Sequence, residues 1–122
     1  MIEELVTLEI AKMLKEKGFN KFCSFAYIDE YCNLMSVHTT NSLIDKMGLG
    51  YSAPNQSFAQ KWLRETKNLH IEISYMYGNY WIYDILTIPE HDLVGLSDRP
   101  IIRYETYEEA LEAGIFEALK LI

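Results

Sequence analysis

Two cysteines and a nearby histidine form the first group of residues whose side chains could do chemistry. Cys23 and Cys32 lie in the N-terminal third of the chain, and His38 follows them. Their spacing is not the Cys-x-x-Cys pattern of metal and redox sites. A nucleophilic cysteine needs a base within reach, and His38 is the histidine closest in sequence. Two reduced thiols in or beside a strand are the simpler interpretation, because a turn at residues 29–30 would keep the cysteines from facing each other.

A histidine and a glutamate form the second group. His70 and Glu72 lie two residues apart on a predicted strand, so their side chains point to the same side of the sheet. There they could form a general acid–base pair or half of a metal site. A metal site needs three or four ligands, and a loop with Glu90, His91 and Asp92 could supply more. The simpler interpretation is a solvated sheet face, and we predict no metal, no cofactor and no catalytic residue.

The second strand of the predicted hairpin supplies the neighbours of His70 and Glu72. Trp81 and Tyr83 fall on the same face as His70 and Glu72, and this mixture of large aromatic and polar residues indicates a shallow surface for a ligand or protein. Asp84 falls on the opposite, apolar face, where a buried carboxylate needs a partner. A hydrogen bond from a tyrosine or a backbone amide, or an exposed strand edge, explains Asp84 better than a catalytic role.

A β-hairpin must position these side chains. Apolar and polar residues alternate over residues 69–77, and a second run covers residues 80–88. Between them, Gly78 and Asn79 suit a two-residue type II′ turn, in which Gly78 has a positive φ. That turn would place Tyr77 opposite Tyr80 and residue 75 opposite residue 82.

Three helices are predicted from periodicity and end signals. The first covers residues 2–17 and ends at Gly18, and the second begins at Pro54. The final helix opens with a capping box from Thr106 to Glu109 and runs to the C-terminus. Gly114 lies in the middle of this helix on its core side, which predicts a close approach to a neighbouring element.

The remaining elements complete an α+β fold. Strands are predicted at residues 22–28, 34–37 and 101–105, and residues 38–52 are predicted as a loop or one short helical turn. We expect one antiparallel sheet of about 3–5 strands, with long N- and C-terminal helices and a middle helix packed on it. Residues 1–122 are expected to form a single domain, which is the size that this length favours.

A basic stripe on the second helix raises the question of nucleic acids. Lys61, Arg64 and Lys67 share one face, and the order helix, strand, strand, strand, helix from residue 54 is that of a double-stranded RNA-binding domain. Such domains place lysines at the start of the last helix, where this chain has Glu108 and Glu109. These carboxylates would repel phosphates, so we expect the topology without the activity.

Phe116 points away from the core side of the final helix. One interpretation is a homodimer in which this helix pairs with its copy through Phe116, with Leu119 at the margin of the patch. The other is that neighbouring parts of the monomer, such as the stem of Lys120, cover the ring.

Composition limits the classes of function. The chain has 122 residues, of which 49% are hydrophobic and 24% charged, so it is expected to fold. A net charge of −7 repels phosphate backbones and argues against nucleic-acid binding. The sequence has no apolar run long enough to span a membrane. It also has no basic N-terminal signal segment. We therefore expect a cytoplasmic protein with no membrane partner.

The preferred hypothesis is a small non-enzymatic protein-interaction domain whose partner is a protein or a second copy. Catalytic motifs such as a Ser-His-Asp order or a glycine-rich phosphate loop are absent from the sequence. One alternative is a nucleic-acid-binding domain that uses the basic stripe of Lys61, Arg64 and Lys67. A second alternative is a small enzyme with a site at His70 and Glu72.

Three segments of the chain resemble sequences of a known set of proteins. Residues 51–65, 69–73 and 106–114 resemble a set of short proteins of gut Bacteroides-type bacteria and their prophage regions. The resemblance covers about the C-terminal two-thirds of the chain. It implies a phage-linked bacterial origin, and the family has no established activity to carry over.

Overall fold

The chain folds into two compact α+β units, Met1–Asn55 and Gln56–Ile122. A computed structural model describes residues 4–28, 31, 33–48, 50–94 and 102–122. These residues form four helices and two antiparallel sheets of three strands each. The α+β class is confirmed, but two separate sheets replace the single sheet that the sequence predicted.

The first unit contains two helices and one sheet. Its elements are α1 (Leu8–Glu16), β1 (Cys23–Ile28), β2 (Asn33–Thr39), α2 (Asn41–Met47) and β3 (Gly50–Ser52). The sheet order is β2-β1-β3, and both neighbours of β1 run antiparallel to it. The strands predicted near residues 22–28 and 34–37 are confirmed, while the turn predicted at residues 29–30 lies outside the described residues.

Helix α1 starts later than its periodicity predicts. Val6 donates its amide to the carbonyl of Pro54 at 3.0 Å, so the chain there is held by a distant segment. Thr7 then caps the helix, because its Oγ1 accepts a hydrogen bond from the Ile10 amide at 3.4 Å. The predicted start at residue 2 is therefore wrong, since an apolar repeat cannot show that a tertiary contact holds part of it extended.

The end of α1 follows the prediction. Gly18 has a φ of 95°, the left-handed conformation that glycine adopts without strain. Phe19 donates its amide to Leu14 and Gly18 donates to Lys15, which is the Schellman pattern of helix ends.

Helix α2 and strand β3 occupy the stretch predicted as a loop or a single turn, so that prediction is wrong. Thr40 caps α2 by accepting a hydrogen bond from the Leu43 amide at 3.2 Å. Asn41 is buried; its Nδ2 donates to the Phe19 carbonyl at 2.7 Å and its Oδ1 accepts from the Ser52 amide at 2.9 Å. These long-range bonds stabilise α2 and β3, and local sequence does not report them.

The second unit has the order helix, three strands, helix. Its elements are α3 (Gln56–Thr66), β4 (Leu69–Met76), β5 (Tyr80–Thr87), β6 (Leu93–Val94) and α4 (Tyr107–Lys120). The sheet order is β4-β5-β6. The predicted order of helix, three strands and helix is present, but α3 begins two residues after Pro54 and the third strand is β6 rather than the predicted strand at residues 101–105. In place of the strand predicted at residues 101–105, Tyr104 forms an isolated bridge to Trp81, and residue 101 lies outside the described residues.

The β4–β5 hairpin has a three-residue loop. Met76 pairs with Tyr80, so residues 77–79 form the connection and the predicted register is wrong by one position. Gly78 has a φ of 106° and Asn79 a φ of 65°. The predicted positive φ of Gly78 is confirmed, but two consecutive residues with positive φ close a longer loop than a type II′ turn.

Both helices of the second unit pack on one face of its sheet. Ile71 and Ile85 are fully buried there, and α4 contacts β4 and β5 while α3 contacts β4. A Cβ on Gly114 would lie 2.6 Å from Cγ2 of Ile71. The predicted close approach of α4 is confirmed.

The capping box of α4 is also present. Thr106 Oγ1 accepts a hydrogen bond from the Glu109 amide at 3.0 Å, and the Glu109 carboxylate accepts one from the Glu105 amide at 3.4 Å. The second bond reaches one residue further back than in the standard box. It still satisfies a backbone donor at the helix start.

Candidate functional site

The hairpin register decides which side chains share a face. His70, Glu72 and Asp84 lie on the face away from the helices, and Glu72 is the direct cross-strand partner of Asp84. Trp81 and Tyr83 lie on the helix-covered face. The predicted grouping of His70 and Glu72 with these aromatic residues is therefore wrong, as is the placement of Asp84 on the apolar face. The cause is the extra loop residue, since a shift of one position reverses every side chain of β5.

The His70 face shows acid–base residues without a metal cluster. Glu72 is exposed and Asp84 half-buried, which keeps these like charges within reach of solvent. The Nδ1 atom of His70 is buried and has no hydrogen-bond partner among the described residues. Among the residues that the structure describes, no group of three or more His, Cys, Asp or Glu side chains is placed to hold a metal ion.

Three aromatic rings meet where the hairpin loop lies close to the start of α4. The Trp81 ring centroid lies 4.8 Å from that of Tyr75, at 56°, and 5.5 Å from that of Tyr107, nearly edge-on at 86°. Tyr75 and Tyr107 are 58% and 39% exposed, and Trp81 is half-buried between them. We call these three residues the aromatic surface.

The aromatic surface is held by the elements on both sides. The Tyr75 hydroxyl donates to the Asn79 side chain at 2.8 Å. Trp81 exchanges two backbone hydrogen bonds with Tyr104, at 2.8 and 3.0 Å, which fixes the outer edge of β5. Tyr107 is the first residue of α4, immediately after the Thr106 cap. Strand pairing and helix capping thus position the rings.

Carboxylates surround Tyr107. Glu105, Glu108 and Glu109 are all exposed, and the last two occupy the first turn of α4. We call these three residues the acidic turn. Acidic residues in a first turn stabilise a helix through its dipole. Here they also place three carboxylates within two residues of Tyr107 in the sequence.

Tyr83, predicted as part of a binding surface, is buried. It is 8% exposed, and a Cβ on Gly114 would lie 3.3 Å from its ring. Its ring centroid lies 6.1 Å from that of Tyr104. Tyr83 packs in the interior of the second unit, whereas Trp81 reaches the surface two residues earlier.

Phe116 is half-buried on α4. The Lys120 Nζ atom lies 4.9 Å from the centroid of its ring, so the lysine one turn later covers part of it. Leu119, expected at the margin of an exposed patch, is fully buried together with Ile115. The helical projection placed one core stripe on α4, but α4 packs against both the sheet and α3, which widens its buried face.

Two members of the basic stripe, Lys61 on α3 and Lys67 directly after it, contact residues of α3. Lys61 lies 3.9 Å from the carboxylate of Glu65, and the Lys67 Nζ atom lies 5.5 Å from the Trp62 ring centroid. Lys61 is exposed, whereas Arg64 and Lys67 are half-buried.

The cysteine and histidine of the first unit have separate environments. Cys23 is a buried free thiol, and burial raises its pKa to about 11. A thiol with a raised pKa is a poor nucleophile at neutral pH. The ring of His38 stacks on Phe22, with centroids 4.7 Å apart and planes within 8°. Cys32 lies outside the described residues.

Sequence reasoning missed Tyr75 and Tyr107 as surface residues, because both fell on predicted apolar faces. Two signals point to them in retrospect. Tyr75 lies next to a hairpin turn, where a strand extends beyond its cover, and Tyr107 occupies the first position of a helix. Rings at element ends contact fewer core residues than rings in the middle.

Comparisons with protein-family models, with curated proteins and with solved structures found no significant match for this chain. In the described part of the chain, none of the helices combines the length and apolar character that crossing a membrane requires.

Proposed function

We propose that this chain is a non-enzymatic protein-interaction domain whose second unit binds a basic segment of a partner protein. The aromatic surface carries the proposal, because the Trp81 ring contacts the rings of both Tyr75 and Tyr107, and Tyr75 and Tyr107 are 58% and 39% exposed. Tyrosine and tryptophan are enriched among the residues that dominate binding energy in interfaces. Their large rigid rings bury much area while few rotatable bonds are immobilised.

Charge favours a cationic partner. The acidic turn lies beside the aromatic surface, and the chain as a whole carries a net charge of −7. Arginine and lysine cations bind over aromatic faces, and the attraction grows when the site is shielded from water. Opposite charges also speed the encounter of two proteins. A segment rich in arginine would satisfy both the rings and the carboxylates.

Tryptophan fluorescence gives a direct test, because the chain has only two tryptophans. Trp62 is 6% exposed in the core, so a Trp62→Phe background leaves Trp81 as the reporter. A short oligoarginine peptide should change the Trp81 emission in a saturable way, and added salt should weaken the binding. A short oligoglutamate peptide should have no effect.

Matched variants show whether the contact is at the proposed surface. Glu108→Gln with Glu109→Gln keeps hydrogen-bonding side chains in the first turn but removes two charges, and should weaken peptide binding at least about ten-fold, or about 1.4 kcal/mol. Glu9→Gln with Glu16→Gln removes two exposed charges from the first unit and should leave binding unchanged. Equal weakening by both pairs, or no binding at low salt, would contradict the proposal.

The nucleic-acid alternative is favoured by the order helix, three strands, helix in the second unit. A gel-shift titration with duplex RNA and DNA tests it. Salt-sensitive binding that falls when Lys61, Arg64 and Lys67 are changed to alanine would support this alternative. Lys61 and Lys67 already contact residues of α3, and the acidic turn would repel phosphates; both observations favour the protein partner.

An enzyme with a His70 and Glu72 site would be supported by bound metal or substrate. Homodimerisation through Phe116, the cytoplasmic location and the link to Bacteroides-type bacteria and their prophages stay predictions.

A further inference from the structure

The outer edge of β4 is a strand edge next to the aromatic surface. β4 lies at the end of the sheet order β4-β5-β6, and no strand in the described part of the chain pairs with its other side. Unpaired edges attract extended segments, because their backbone donors and acceptors are already aligned for a ladder. Tyr75 belongs both to this strand and to the aromatic surface, so the two features adjoin.

The bonds of Trp81 show which backbone groups of β4 point outward. The amide and the carbonyl of Trp81 both bond to Tyr104, so they point away from β4. Tyr75 is the cross-strand partner of Trp81. In an antiparallel pair of this kind, both residues direct their backbone groups away from each other. The groups of Tyr75 therefore point to the outer edge, and so do those of Ile73, because successive residues alternate.

A contact from α3 supports this direction and limits the open stretch. Gln60 donates from its Nε2 atom to the Ile71 carbonyl at 2.7 Å. That carbonyl lies on the outer edge, as the alternation requires, and α3 occupies it. Ile73 and Tyr75 follow on the same edge, and each directs an amide and a carbonyl outward. These groups are arranged to bond a further strand.

Charge selects a cationic occupant for this edge. Glu72 is exposed and lies directly across from the half-buried Asp84, on the face away from the helices. Like charges directly opposite each other destabilise a sheet. From Leu69 to Met76 the sequence contains neither Lys nor Arg, so β4 supplies no cation of its own. A second copy of the chain would bring the same carboxylates and a net charge of −7, which disfavours self-pairing.

Both faces beside β4 suit arginine. The side chains of an added strand alternate between the faces of the sheet. A residue opposite Tyr75 would lie beside a ring that is 58% exposed. The next residue would lie on the other face, within diagonal reach of Glu72. Because arginine stacks on aromatic rings and bonds carboxylates through two nitrogens, consecutive arginines would satisfy both faces.

We propose that the basic segment of the partner binds in extended form, as a strand added to the β4 edge at Ile73 and Tyr75. Backbone hydrogen bonds would supply affinity, and the alternating side chains would supply specificity. The inference rests on the proposed function, since it describes how the same partner is held. It adds the conformation of the segment and the contribution of Ile73 and Glu72.

Two oligoarginine peptides of equal length test the added strand. One is unmodified, and the other carries a methyl group on every backbone nitrogen, which keeps the charge but removes the donors. Both are titrated at low salt against the Trp62→Phe protein, with Trp81 emission as the readout. The methylated peptide should bind at least about ten-fold more weakly. Equal binding would overturn the added strand and leave the proposed function standing, whereas binding by neither peptide would overturn both.

Hydrogen exchange of the wild type locates the contact. The unmodified peptide should slow exchange of the Ile73 and Tyr75 amides. The Ser74 amide points inward to β5 and is the internal control, which should change little. Unchanged exchange of Ile73 and Tyr75 at saturating peptide would overturn the proposal. Protection of these amides that rises with protein concentration alone would also overturn it, because a second copy would then occupy the edge.

A matched pair of variants tests the charge. Glu72→Gln should weaken binding of the unmodified peptide about three-fold, as expected for an exposed ion pair. Glu90→Gln removes one exposed charge from the loop after β5, at the opposite end of the hairpin from Tyr75, and should leave binding unchanged. Equal effects of the two variants would overturn the placement of the segment beside Glu72.

Discussion

At the scale of single residues, Asn41 shows how one polar side chain joins distant segments. Its amide is buried and contacts Phe19, three residues beyond the end of α1, and Ser52, the last residue of β3. Burial of an amide is favourable only when its donors and acceptors are bonded. Both bonds join residues that are far apart in sequence, so Asn41 of α2 links the segment after α1 to strand β3.

We expect Asn41→Ala to destabilise the protein by about 2 kcal/mol, because it removes the bond to the Phe19 carbonyl and takes the Asn41 acceptor away from the buried Ser52 amide. Urea denaturation followed by circular dichroism measures the loss. Asn20→Ala is the control: Asn20 is exposed and its Oδ1 accepts one bond, from the Ser42 amide at 2.9 Å. The control should lose less than about 1 kcal/mol, and equal losses would contradict the role of Asn41.

At the scale of elements, the contact of α4 with the sheet depends on Gly114. Glycine in a helix costs about 1 kcal/mol relative to alanine. This cost is offset by the approach of α4, since a Cβ would lie 2.6 Å from Ile71 and 3.3 Å from the ring of Tyr83. The β-branched Ile71 is itself fully buried and has little freedom to move.

We therefore expect Gly114→Ala to lower the free energy of unfolding by about 1–3 kcal/mol, although alanine is the better helix former. Thermal or urea denaturation measures it. Ala113→Gly, at a half-buried neighbour, isolates the intrinsic helix preference and should cost about 1 kcal/mol. A more stable Gly114→Ala variant would show that the helix can move away from the sheet.

At the scale of the whole molecule, stability depends on pH through the buried thiol. Burial raises the pKa of Cys23 from its usual 9.0 to about 11. Between these values the unfolded chain has lost the thiol proton while the folded chain keeps it. The unfolded state then binds fewer protons, so the free energy of unfolding falls as pH rises.

We expect this contribution to be present below pH 9 and to be lost between about pH 9 and about pH 11. Because tyrosines and lysines titrate in the same range, the test compares the wild type with Cys23→Ala. Urea midpoints measured from pH 7 to pH 11 should fall more steeply for the wild type. Parallel pH profiles would show that the thiol ionises alike in both states.

The sequence by itself determined the features whose causes are local. The capping box of α4, the glycine at the end of α1 and the existence of the β4–β5 hairpin each depend on a few neighbouring residues. The positive φ of Gly78 belongs to this group as well. The α+β class followed from these elements, because periodicity alone separates helices from strands.

Tertiary structure alone decided the features that depend on contacts between distant residues. The Val6 bond to Pro54 delays the start of α1, and the bonds of Asn41 stabilise a helix in a predicted loop. One extra loop residue reversed the faces of β5, which moved Asp84 away from the core and brought Trp81 to Tyr107. The division into two sheets arises in the same way, because strand pairing joins residues that are remote in sequence.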